Sequence, residues 1–232
     1  MGATQQALIH GGDPYWNSVV LLAFQDNQAS GGTSFVDQSK YGRTLTATAP
    51  AQWTNGSAPS FLATSLLGDG LTASVGAASS SDFAFGTGDL TVEWFMRTTD
   101  LSINRTVLSF LSTGTTEIAV HIYVGTSGLR LYINGSDVIT NNGSLSTNTW
   151  YHCAYSRVSG TGKMFLNGTQ SGSNYSDSNN YGNKPFRAMD YETPPVGAHD
   201  TWKGQQAAIR VTKGVGRYSG TFTPPVPPFP IG

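Results

Sequence analysis

Cysteine is almost missing from this 232-residue chain, where Cys153 stands alone. No internal disulfide can form, and there is no set of thiolates to hold a metal. Charge is scarce too: Asp, Glu, Lys and Arg together make up 12% of the residues, about half of the ~25% usual in a soluble domain. The formal net charge is −1. Without a basic run, or basic residues interleaved with aromatics, the chain offers no electrostatic footprint for nucleic acid. No stretch of ~18 consecutive apolar residues occurs, which excludes a membrane-spanning helix. Residues 1–12 have neither the positive start nor the apolar core of a signal peptide, so a soluble, unexported product is expected.

Paired carboxylates are lacking as well. The three glutamates are Glu93, Glu117 and Glu192. A glucanase strand of the form Glu-X-Asp-X-X-Glu sets acid, base and orienting residue on one face, as a retaining mechanism needs with its two carboxyls ~5–5.5 Å apart. None of the glutamates sits in such a pattern; Glu192 follows Asp190, but in a proline-rich stretch. Asp69, Asp82 and Asp89 stand beside glycine or aromatic turns, where aspartate usually closes the turn. There is no Gly-X-Ser-X-Gly elbow. His152 and Cys153 are neighbours on an expected strand and therefore face opposite sides, so they are not a base and nucleophile pair. Cys153 reads as a small buried hydrophobe, and His152 as a strand histidine bonded to a backbone or carboxylate group. His10, His121 and His199 show no metal-ligand spacing. These absences predict a protein that is not an enzyme.

What fills the chain is glycine, serine, threonine and asparagine between short apolar runs. No helix-length 3.6-residue pattern appears. Runs of four to eight β-branched, aromatic or aliphatic residues recur between turn residues: 19–24, 90–97, 107–111, 118–124, 129–133, 151–157, 163–166 and 207–212. The first is apolar throughout, as in a strand buried on both faces. In the second, Leu90, Val92, Trp94 and Met96 alternate with Thr91, Glu93, Phe95 and Arg97, which assigns the two sets to opposite faces of a sheet. Six Asn-X-Ser/Thr sites occur, at Asn55, Asn104, Asn134, Asn142, Asn167 and Asn174, and four of them are Asn-Gly pairs. These read as hairpin turns, because Asn and Gly tolerate the positive φ that tight hairpins require. The length suits a single all-β sandwich.

Several blocks, taken in order, resemble one family. The most telling is Ala207-Ala208-Ile209-Arg210-Val211-Thr212-Lys213-Gly214-Val215-Gly216-Arg217-Tyr218, followed by the proline-rich 222–230. Others are the opening Asp13–Leu22, the pair Phe35–Ser39 and Arg43–Thr46, the segment Ser81–Arg97, and the hairpin Thr149–Arg157 with Gly162–Gly168. Together they resemble the laminin-G-like, concanavalin A-like jelly-roll modules that recur in structural proteins of tailed phages and prophages. The resemblance implies an antiparallel two-sheet jelly-roll sandwich over residues 13–232, a flexible arm over 1–12, and a proline tail over 222–232 that packs back along the sandwich rather than forming a polyproline linker. It also implies a non-enzymatic virion protein: a capsid decoration, cement or fibre-like subunit that docks on capsid or tail proteins; the arm 1–12 and the inserted segment 186–195 add the expectation of self-association, a trimer being favoured. The alternative is an adhesin that binds host-surface glycans.

Residues 185–197 depart from the family pattern and read as an inserted loop, a common carrier of function. Its Phe186, Arg187, Met189 and Tyr191, with Tyr181 and Trp202 on either side, fit three readings. The aromatics stack on sugar rings, or the group anchors a subunit contact, or the loop is simply solvated. For calcium, which laminin-G-like modules take at a sheet rim, Asp177, Asn179, Asn180, Asp190 and Asp200 offer oxygen ligands, but no Asp-X-Asp-X-Asp-Gly loop supports them.

Overall fold

A computed structural model describes residues 12–25, 28–112, 117–126, 128–141, 145–191 and 200–232. The arm 1–11, His10, His199, the Asn142 site and the Glu192–Pro195 part of the expected loop lie outside the described residues.

The described residues form seventeen strands: β1 (Val19–Ala23), β2 (Phe35–Val36), β3 (Thr44–Thr48), β4 (Gln52–Thr54), β5 (Ser65–Asp69), β6 (Ser74–Ser80), β7 (Leu90–Thr98), β8 (Arg105–Ser109), β9 (His121–Gly125), β10 (Gly128–Ile133), β11 (Ser136–Thr140), β12 (Tyr151–Val158), β13 (Thr161–Leu166), β14 (Thr169–Gln170), β15 (Tyr175–Ser176), β16 (Lys184–Ala188) and β17 (Lys203–Lys213). They make two antiparallel sheets. The nine-stranded sheet runs β14-β13-β12-β7-β17-β5-β4, with β1 also paired to β17 and β15 to β13; the eight-stranded sheet runs β11-β10-β9-β8-β16-β6-β3-β2.

The alternation read in the sequence sets how the sheets face each other. Leu90, Val92, Trp94 and Met96 of β7 point into the shared core with Cys153, Tyr155, Met164, Ile209 and Val211, and meet Val75, Ile122, Leu129, Leu131 and Phe186 of the other sheet. Cys153 is buried and free. Asn134–Gly135 and Asn167–Gly168 make two-residue hairpins with positive φ at both positions, as their sequence predicts.

One expectation is corrected here. The start of the segment expected as a loop is β16, a central strand of the eight-stranded sheet, paired with β6 on one side and β8 on the other. Phe186 fits the core because it alternates with Arg187, which faces outward. The chain leaves this layer only at Met189, whose φ of 76° is rare for a residue with a side chain. Hydrogen bonds hold it there, from Met189 N to the Val107 carbonyl (2.8 Å) and from Trp202 N to the Met189 carbonyl (2.9 Å).

Candidate functional site

A folded chain closes over the outer face of the nine-stranded sheet. Residues after β17 fold back along it: Tyr218 and Phe222 stack face to face at 3.6 Å and meet His152 and Phe165 edge-on. Phe222 N donates to the Gly168 carbonyl of the β13–β14 hairpin (2.9 Å). Farther on, Phe229 packs with Val19, Leu22, Leu62, Phe95 and Ala207 in a second apolar cluster. The tail therefore packs on the sandwich, as expected.

Beneath that cover lies a buried ion network. Arg210 donates to Glu93 (2.8 Å) and Asp13 (2.9 Å), Arg217 donates twice to Asp13 (2.7 and 3.0 Å), and the Tyr218 hydroxyl donates to Glu93 (2.7 Å). His152 Nε2 lies 3.3 Å from Glu93. Burial alone would raise the Glu93 pKa, but Arg210 and the hydrogen bonds outweigh it and bring it down to about 2. Glu93 is thus a charge held by partners, without the raised pKa that a general acid requires.

The outer face of the eight-stranded sheet is built differently. A single register row crosses it: Thr46 pairs with Gly76, Gly76 with Arg187, Arg187 with Ser109, Ser109 with His121, His121 with Tyr132, and Tyr132 with Asp137. Residues in register share a face, and at ~4.8 Å per strand the row spans roughly 29 Å. Asp190 and Tyr191 cross the middle of it. The Ser109 hydroxyl donates to the Asp190 carbonyl (3.1 Å), and the Tyr191 ring lies 5.4 Å from His121.

On one side of that crossing is a groove of about 390 Å³ lined by hydroxyls and small residues, among them Thr46, Thr48, Ser74, Ser79 and Ser112, with Arg187. Gly76 leaves its floor open, since a Cβ there would lie 2.5 Å from the Phe186 carbonyl oxygen and 3.2 Å from the Arg187 Cγ. On the other side, His121, Tyr123 and Tyr132 form an aromatic cluster with centroids 5.7–6.2 Å apart. Asp137 fixes its outer edge by accepting from the Tyr123 hydroxyl and from Arg130, each at 2.7 Å. Burial lowers the His121 pKa to about 4, against a weaker opposite pull from Asp137. The ring is therefore neutral at pH 7. Its Nε2 meets the Thr106 hydroxyl at 3.1 Å, while the buried Nδ1 has no partner among the described residues.

The residues singled out from the sequence divide between core and surface. Tyr181, Phe186, Met189 and Trp202 are all core side chains, which removes them as stacking platforms or subunit anchors. Arg187 and Tyr191 do lie on the open face, half-buried. Reading the sequence missed His121, Tyr123, Tyr132 and the hydroxyl groove. The signal was present in the alternation of His121 and Tyr123 with Ile122 and Val124, and of Arg130 and Tyr132 with Leu129 and Leu131.

Two of the calcium candidates, Asp177 and Asp190, are engaged within the protein. Asp177 accepts from the Tyr155 and Tyr181 hydroxyls at 2.5 and 2.9 Å and lies 3.4 Å from Arg157, so its carboxylate anchors a loop. Asp190 is buried and accepts from Tyr191 N (2.6 Å), and Asp200 has a positive φ. Among the described residues, no group of three or more His, Cys, Asp or Glu is placed to hold an ion, and no helix is long and apolar enough to cross a membrane.

No curated protein matches the sequence. Solved structures match the fold at low identity. Domain 4 of AbnA, a GH43 extracellular arabinanase from Geobacillus stearothermophilus in complex with arabinotriose, is 16% identical with a TM-score of 0.61; the match covers 86% of this chain and 94% of that domain. The binding domain of botulinum neurotoxin serotype D is 11% identical with a TM-score of 0.62, over 87% of this chain and 49% of that one. A structure concerned with botulinum neurotoxin type C, whose cell entry depends on interaction with two ganglioside molecules, is 12% identical with a TM-score of 0.61, over 86% and 49%. This chain thus spans about half the length of the neurotoxin structures. A family model matches residues 69–215, more than half of the sequence and most of both sheets, and with it the chain belongs to the concanavalin A-like lectin/glucanases superfamily, in the family Laminin_G_3.

Proposed function

We propose that this protein is a non-catalytic carbohydrate-binding module that takes a glycan across the outer face of its eight-stranded sheet. The observation that carries this reading is the register row from Thr46 to Asp137, which sets a hydroxyl-lined groove and a tyrosine and histidine cluster on one face, on either side of Asp190 and Tyr191. Sugars present apolar ring faces and polar rims, and such a surface answers both: aromatic faces stack, and hydroxyls and amides exchange hydrogen bonds. The arabinotriose complex and the ganglioside-dependent neurotoxin, which share this fold, support it by analogy. The buried, ion-paired Glu93 supports the absence of turnover.

The test is binding to a panel of immobilised oligosaccharides by the native protein and by Tyr132→Ala. The native protein should bind a subset of the panel without hydrolysing it. The variant should weaken that binding about tenfold, the worth of one aromatic stacking contact, while its circular dichroism stays unchanged. Product release, absence of binding across the panel, or binding indifferent to Tyr132→Ala would each overturn the reading.

A second reading rests on the closing block 207–230, whose resemblance is to modules of phage virions. In that reading the glycan-binding face belongs to a virion subunit, a decoration or fibre-like protein docked on capsid or tail proteins and self-associated, a trimer being favoured. Immunogold labelling of particles from the source host would support it by decorating shell or tail. Unlabelled particles together with a monomeric mass in solution would end it.

A further inference from the structure

Arg187 differs from every other arginine in the described structure. Arg43, Arg105, Arg130, Arg157, Arg210 and Arg217 each face a carboxylate within 4 Å. Arg97 donates to two side-chain amides, Gln205 at 2.8 Å and Asn148 at 2.7 Å. The Arg187 guanidinium makes one hydrogen bond among the described residues, from an Nη to the Leu111 carbonyl (3.0 Å). A guanidinium carries five N–H donors in a planar fork that matches two oxygens of a carboxylate at once, so most of that capacity is unspent here. Solvation only partly makes up for it, since Arg187 is half-buried and burial pulls its pKa down.

Its surroundings aim that capacity at the groove. Gly76 lies directly across the register and lets the Arg187 stem lie flat on the sheet. Among the described residues, no acidic side chain lines the groove. Lys184 donates to Glu117 (2.6 Å), which also accepts from Ser112 N (2.9 Å); Asp190 accepts from Tyr191 N, and its charge acts on Arg187 against the pull of burial. A positive fork with no side-chain hydrogen bond among the described residues, beside hydroxyls suited to sugar oxygens, defines an anion subsite inside the groove.

We infer that Arg187 anchors the carboxylate of an acidic sugar, a uronic or sialic acid unit, within the glycan taken by this face. This rests on the carbohydrate-binding reading and narrows it to a substrate class. The planar fork favours a planar carboxylate, and a sulfate ester is the rival source of negative charge.

The experiment compares three matched sets of oligosaccharides, neutral, uronate- or sialate-bearing, and sulfated, for the native protein, Arg187→Gln and Arg187→Lys, at two salt concentrations. The native protein should prefer the carboxylated member over its neutral match by at least about tenfold, the worth of a charge-assisted pair of hydrogen bonds. That preference should shrink with added salt. Arg187→Gln should erase it, and Arg187→Lys should keep part of it, since lysine restores the charge but not the fork. Equal binding of neutral and acidic members, a preference that survives Arg187→Gln, or a preference for sulfate alone would overturn the inference while leaving the carbohydrate reading standing. If no member of any set binds, the carbohydrate reading falls, and this inference falls with it.

Discussion

The two outer faces of the sandwich hold much the same residues and use them in opposite ways. Under the C-terminal segment, Arg210 and the Tyr218 hydroxyl both donate to Glu93, His152 lies beside it, and Glu93, Arg210 and His152 are buried. On the open sheet, Arg187, His121, Tyr123, Tyr132 and Asp137 lie in or beside one row, where the guanidinium keeps donors to spare. Residue types alone therefore do not mark a site. An arginine paired with buried carboxylates holds the fold, and one without a carboxylate partner is available to a ligand.

Glu93→Gln should have the largest effect, because it removes the carboxylate shared by Arg210 and Tyr218 while the arginine stays buried. Urea unfolding should show a loss of about 3–5 kcal/mol; a loss under about 1 kcal/mol would mean that water reaches the covered face. Next comes Phe229→Ala, which empties the apolar end of the cover and should cost about 3 kcal/mol. A near-neutral result would show that the segment rests on the sheet without being packed against it.

The pH dependence of melting separates the faces further. His121 is held neutral in the fold, with its pKa lowered from 6.5 to about 4. Its contribution is present above about pH 6.5 and is lost as the pH falls toward 4, because the unfolded chain binds the extra proton first. Glu93 is lowered from 4.5 to about 2, so its contribution is intact above about pH 4.5 and is lost between there and pH 2. The melting temperature should thus fall in two stages, with His121→Asn removing the upper one and Glu93→Gln weakening the lower, which Glu93 shares with Asp13, Asp69, Asp82 and Asp100, all held below the usual carboxylate range. A single stage in the native protein would erase this distinction. The smallest effect is expected for Thr46→Ala, an exposed groove residue: stability should change by no more than about 0.5 kcal/mol, and a larger loss would show that the open face carries structural load.

Reading the sequence recovered the strands with strong signals. β1 is uniformly apolar, β7 alternates cleanly, and β10 and β13 end in Asn-Gly turns. β16 escaped because Lys184-Pro185-Phe186-Arg187-Ala188 mixes charge and proline, and its strand character comes from neighbours on both sides rather than from local preference. For the same reason Phe186 and Met189 passed for subunit anchors, and Tyr181 and Trp202 for sugar-stacking aromatics. An aromatic or methionine in a charge-poor stretch looks alike whether it points inward or outward. The tyrosines of the open face carried a legible sign, since each sits between two core aliphatics on its strand. Arg187 and Tyr191 were found by composition alone, and only the register row explains why they matter.

The pairing of β1 with β17 also sets a timetable for synthesis. Asp13 and Arg217, joined by two hydrogen bonds, are 204 residues apart in the chain, and the last strand completes the middle of the nine-stranded sheet. At ~5–20 residues per second, the apolar first strand leaves the ribosome roughly ten to forty seconds before its partner exists. During that interval the unpaired strand invites wrong partners, and contacts spanning nearly the whole chain form slowly once the partner arrives. Folding efficiency in the cell is therefore governed by how β1 is shielded while translation runs, so slowing translation should lower the yield of soluble protein more than lowering its equilibrium stability by a small amount.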